Sequence, residues 1–206
     1  MVNMDTLLPL IRPDVPQCPD FTIESYIVRT VRDFCEQTRI WREWLNEPVD
    51  PDIETYPLNA SGEIVAVETA QTGQGVPIRP LSYTLPGQEE DNMDAMAGVR
   101  GYTFDPPNVL HLQGTPTQSM ELFVYVSLKP ALTDTQAPQW LMEKYEDAIV
   151  SGTLYRLMTR REKPWSDPRL AGLHMQDFRR GVSAARVHKL KNNTNTSLSI
   201  KPRPFG

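Results

Sequence analysis

Proline sets the sharpest limits on what this chain can fold into. A proline in a helix interior loses an N–H and clashes with the preceding turn, at a cost of about 3 kcal/mol. The 19 prolines leave three useful windows, 20–47, 139–163 and 169–201. The others fall in the N-terminal segment, through the middle and at the extreme C-terminal end. That distribution predicts one helix, then a strand-and-loop region, then two more helices.

Residues 1–19 are Pro-rich and read as an extended lead-in. The first helix is expected over 20–47, capped by Asp20 or Thr22. Ile23, Ile27, Thr30, Phe34, Thr38 and Trp41 form one stripe at helical spacing, widened by Tyr26, Val31 and Trp44. Pro48 and Pro51 close it.

Between 48 and 137 the period changes from helical to alternating. Residues 63–68 and 120–128 are the best strands, and 55–58, 78–83, 101–104 and 109–112 are shorter candidates. Gly73, Gly75, Pro86-Gly87, Pro106-Pro107 and Gly114 supply turns. Residues 88–94, Gln-Glu-Glu-Asp-Asn-Met-Asp, are too polar to pack and read as an exposed loop.

The remaining windows form a helical hairpin. A helix over 139–163 is apolar around much of its circumference, as a core-central helix should be. The connector Lys163-Pro-Trp-Ser-Asp-Pro168 follows, with Asp167 placed as an N-cap and Pro168 as the first helical residue. In the last helix Leu170, Leu173, Phe178, Val182 and Ala185 are expected inward, and Arg179, Arg180, Arg186 and Lys189 outward. Residues 192–206 are too polar to fold alone and read as a flexible arm. The expected fold is therefore α+β: an antiparallel helical bundle (20–47 and 138–191), a small antiparallel β insertion (48–137) and an extended C-terminal arm (192–206).

Charge is unevenly distributed. Residues 1–158 carry 10 Lys/Arg against 23 Asp/Glu, and residues 159–206 carry 11 against 3. The net charge of −5 thus divides into −13 and +8, a polarity suited to an oriented contact with a partner. No run approaches the roughly 18 apolar residues of a membrane span. The first ten residues lack a basic n-region, so no signal peptide is expected. Two cysteines, Cys18 and Cys35, imply no disulfide framework.

The chemistry of a catalytic site does not assemble from these residues. His111, His174 and His188 have no His, Cys or carboxylate at recognised ligand spacing. Gly73-Gln-Gly75 lacks the third glycine of a dinucleotide fingerprint. No enzyme activity, metal or cofactor is expected. Two other readings remain open: a nucleic-acid-binding assembly or regulatory factor using the basic C-terminal quarter, and an assembly protein whose tail docks into a neighbour. Leu198 and Ile200 alternate within the polar tail, which suits strand addition to a partner.

Several segments are similar to a known family. They are Cys18-Pro-Asp20, Phe34-Cys35, Trp41, the run Glu143-Lys-Tyr-Glu-Asp-Ala-Ile-Val-Ser-Gly152, and Lys163-Pro-Trp-Ser-Asp-Pro-Arg-Leu-Ala171. Phe178, Gly181, Ala184, Ala185 and Arg186 complete the pattern. In order and spacing they resemble tailed-bacteriophage head-to-tail adaptor (connector) proteins from about Asp14 to Lys191. The resemblance implies a non-enzymatic virion protein of the neck, assembled in the host cytoplasm. It would form a homo-oligomeric ring, of twelve copies, joining the portal protein to tail or nozzle proteins. DNA would pass through its channel without sequence-specific binding, and no membrane anchor is implied. Candidate contacts to the portal or a neighbouring subunit are Arg179, Arg180, Arg186, Lys189, Lys191, Leu198, Ile200, Lys201 and Arg203. Phe34, Trp41, Tyr145, Ile149, Trp165 and Phe178 are the candidate structural core.

Overall fold

A computed structural model describes residues 1–81 and 98–191, which divide into two units, 1–40 with 132–206 and 41–131. The first unit opens with β1 (Val2–Asn3), a 3-10 turn over Met4–Leu7, α1 (Leu8–Ile11) and a second 3-10 turn over Arg12–Asp14. This segment is therefore coiled and packed rather than extended. Met4, Leu7, Ile11 and Val15 are all buried, and burying such side chains contributes about 1.5–3 kcal/mol each.

Helix α2 (Asp20–Thr38) buries the predicted stripe Ile23, Ile27, Thr30, Phe34 and Thr38 together with Val31 and Cys35. The two buried threonines donate to the carbonyls of Tyr26 and Phe34, so neither hydroxyl is left unsatisfied. The helix stops well short of residue 47. Arg39 adopts a left-handed conformation (φ 50°, ψ 41°) and its N–H closes on the Cys35 carbonyl.

The second unit begins just beyond that turn, and its strands are β2 (Arg42–Val49), β3 (Thr55–Pro57), β4 (Glu63–Thr72), β5 (Pro77–Ile78), β6 (Gly101–Asp105), β7 (Val109–Gln113) and β8 (Met120–Lys129). They form an antiparallel sheet in the order β2-β8-β4-β5 and a second in the order β3-β7-β6. The central strand β8 alternates: Leu122, Val124, Val126 and Leu128 are buried while Glu121 is exposed and Phe123 and Tyr125 are half-buried. Leu45, Ile64 and Ala70 lie opposite Val124, Leu128 and Val124 and share the buried face. Two register shifts in β4, at Ile64/Ala66 and Val67/Thr69, kink the strand. Of the expected strands, 78–83 falls partly outside the described residues, and the loop 88–94 falls wholly outside them.

The chain returns to the first unit through β9 (Gln136–Ala137), which pairs with β1, followed by α3 (Gln139–Lys144), α4 (Glu146–Met158) and α5 (Pro168–Leu190). The predicted 139–163 helix is thus two helices broken at Tyr145 (φ −120°), and it ends at Met158. Tyr145 places its ring 5.1 Å from Phe34, and its hydroxyl lies 3.0 Å from His188 Nδ1. Beyond α4, Glu162 is left-handed (φ 61°), and the connector is closed by hydrogen bonds from Ser166 N to Lys163 O and from Asp167 N to Met158 O. Helix α5 starts as its sequence requires: Asp167 Oδ1 accepts from the N–H groups of Arg169 and Leu170 at 3.0 Å. Phe178, Val182 and Ala185 face inward, but Leu170 and Leu173 are exposed, against expectation.

A helical bundle carrying a small β insertion is therefore not the fold. The protein is α+β, with 41 % helix and 28 % strand, the strands lying in three antiparallel sheets among the described residues. The expectation failed because residues 42–49 pair with β8 instead of extending α2.

Candidate interaction surface

The helical unit is held by one tight crossing of α4 on α2 and α5. A Cβ at Gly152 would stand 2.5 Å from the Phe178 ring and 2.7 Å from Thr30 Cγ2. A Cβ at Gly181 would stand 2.3 Å from that of Ala148. Glycine is required at both positions for the helices to approach this closely. Arg156 tethers the same crossing. It donates from Nη1 to Thr30 Oγ1 and to the Gly152 carbonyl, and from Nη2 to Asp33, with its guanidinium 5.4 Å from the Phe178 ring centre. Phe34, Tyr145, Ile149 and Phe178 are buried here. Trp165 is half-buried in the connector. Trp41 is buried in the β unit, where its carbonyl accepts from Leu128 N.

This rigid frame presents the cations of α5. Arg179, Arg180 and Arg186 are exposed; Lys189 and Lys191 are half-buried. Their charge is partly committed within the unit: Arg180 pairs with Asp177 at 2.9 Å, and Arg186 Nε donates to the Gln37 carbonyl at 3.0 Å. Arg179 and Arg186, two turns apart, share one side of the helix. Leu198, Ile200, Lys201 and Arg203 lie outside the described residues. Sequence reading missed the apolar members of this exposed surface, Leu170, Leu173, Val187 and Leu190. Their positions outside the buried stripe of Ala171, Phe178, Val182 and Ala185 were the available signal.

The two units differ in charge. The β unit, 41–131, contains 4 Lys/Arg against 13 Asp/Glu; the remainder contains 17 against 13. The acidic excess of −9 therefore belongs to the β unit alone, while the helical unit with its C-terminal segment is +4. The β unit also displays Trp44, 51 % exposed, stacked on Tyr125 with ring centres 4.7 Å apart. Trp44, which helical spacing assigns to the first helix, lies in β2. The alternation of Arg42, Trp44 and Asn46 with the buried Leu45 and Val49 was the overlooked strand signal.

Among the described residues no three His, Cys, Asp or Glu side chains converge. His111 bridges strands, its Nδ1 3.1 Å from Thr55 Oγ1 and its Nε2 3.2 Å from Asp105. Burial pushes the Cys35 thiol up to about 12, far from a reactive thiolate. Among the described residues, no helix is long and apolar enough to cross a membrane.

No curated protein matches the chain. The family model described as SU10 adaptor protein matches residues 3–200, spanning both units. The order of motifs around the α4–α5 hairpin and the family match agree, and the chain belongs to the SU10 adaptor protein family, a family of phage head-to-tail adaptors.

Proposed function

We propose that the protein assembles into a ring, of twelve copies, that joins the portal to tail or nozzle proteins and leaves a channel for DNA. Family membership over residues 3–200 carries this reading, and the charge difference between the two units agrees with it. Binding of other head and tail proteins in the virion follows from the adaptor family itself. The finer assignment is ours. The exposed cations of α5, with Leu198, Ile200, Lys201 and Arg203 beyond it, contact the portal or the adjacent subunit. The acidic excess of the β unit keeps negative charge in the ring, so that DNA passes without sticking. The role is structural and non-enzymatic.

Purified protein mixed with its portal and imaged by electron microscopy tests this. Rings that appear only with portal are expected, and monomers throughout would sink the reading. The alternative of a nucleic-acid-binding factor has weaker support, since the chain as a whole is acidic, with a net charge of −5, and the family match is to an adaptor. Salt-dependent binding of free DNA by the monomer would revive it.

A further inference from the structure

The four-stranded sheet carries an aromatic row on the face opposite its buried Leu122, Val124 and Val126. Trp44 lies opposite Tyr125 across the β2–β8 register, and their rings stack at an interplanar angle of 24°. The Arg42 guanidinium sits 5.3 Å from the Tyr125 ring centre. Phe123, two positions along β8 and half-buried, shares the face. A large apolar side chain is thus shown to solvent yet held in one orientation, so binding to it loses little conformational freedom. Aromatic rows of this kind recognise proline-rich segments, whose extended backbone is already ordered and whose rings stack on indole and phenol.

The chain supplies such a segment. Residues 201–206 read Lys201-Pro-Arg-Pro-Phe-Gly206, and residues 189–206 hold Lys189, Lys191, Lys201 and Arg203 with no acid. The β unit is the acidic part of the molecule, and Glu121 is exposed on the same face as Phe123. In a polyproline helix, residues three apart share a side and lie about 9 Å apart. Bound in that form, Pro202 and Phe205 would be so related, against about 7 Å between Tyr125 and Phe123. The 15 residues beyond Lys191 can reach about 50 Å when extended.

We propose that the Trp44–Tyr125–Phe123 face docks residues 201–206 of a neighbouring copy, with proline on the indole and the cations toward Glu121. The proposal rests on the ring reading. A basic end of one copy seated on the acidic unit of the next is a heterologous contact, the type that closes into rings.

The test uses a fluorescent peptide of residues 197–206 and the full-length chain carrying P202A and P204A, so that its own end does not compete. Anisotropy should report binding that weakens as salt rises and that drops about tenfold or more with Trp44→Ala. Replacing both prolines in the peptide should have a similar effect. Tyr125→Leu serves as a second variant on the protein side, and thermal melts establish that both variants fold. Unchanged binding by Trp44→Ala overturns the proposal, as does Trp44-dependent binding of oligo-dT in place of the peptide. Ring formation with the portal is scored separately. Rings without peptide binding overturn the docking and leave the ring standing; peptide binding without rings supports the docking and sinks the ring.

Discussion

Arg156 shows how one polar residue can organise three helices. Its guanidinium joins α4 to Thr30 and Asp33 of α2 and lies over Phe178 of α5. Replacing it with Met keeps the apolar stem but removes the cation beside the Asp33 carboxylate, which retains the Gln37 amide at 2.9 Å, so urea denaturation should show a loss of about 1 kcal/mol, moderated by partial exposure of the pair. Two other buried groups set a pH dependence. Burial raises both the Cys35 thiol and the Tyr145 hydroxyl to about 12. The native state therefore holds these protons where the unfolded chain, with ordinary values, releases them. Their stabilising effect is complete below about pH 9 and is lost as the pH climbs toward 12. Thermal midpoints measured across that range should fall. A flat profile would show that these two groups are not shielded.

At the scale of elements, the outcome turned on where helices begin and end. Asp167 and Pro168 start α5 through purely local chemistry, a side-chain cap followed by a residue with no N–H to satisfy, and the start was readable from six residues. The end of α2 was not. Trp41 continues the helical spacing of Phe34 and Thr38, and no proline intervenes until Pro48. What ends the helix is a left-handed Arg39 followed by a strand whose partner, β8, lies some eighty residues away in sequence. Arg39→Gly should accordingly stabilise the protein by about 0.5–1 kcal/mol, because glycine adopts that backbone without a Cβ penalty. Gly152→Ala should do the opposite. It gains about 1 kcal/mol of helix propensity but drives a methyl into Phe178 and Thr30, for a net loss of about 1–3 kcal/mol by chemical denaturation.

At the scale of the molecule, the separation of charge is the property most relevant to assembly. If the basic C-terminal quarter makes the ring contacts, truncation after Lys191 should reduce portal co-sedimentation severalfold at physiological salt. Raising the salt should weaken the intact protein toward the truncated one. Full portal capture by the truncated chain would show that the contacts lie elsewhere.

The sequence by itself determined the proline-delimited windows, the start of α5, the buried stripe of α2 and the alternation of β8. It also carried the motif order that marks an adaptor. All of these depend on neighbours within a few residues or on residue order alone. The tertiary structure decided that residues 42–49 form a strand, that Tyr145 breaks a helix against Phe34, and that Trp44 faces solvent beside Tyr125. It also assigned the acidic excess to the β unit. These outcomes depend on pairings between distant segments, where the backbone bonds of a sheet and the packing of a core outweigh local helical preference.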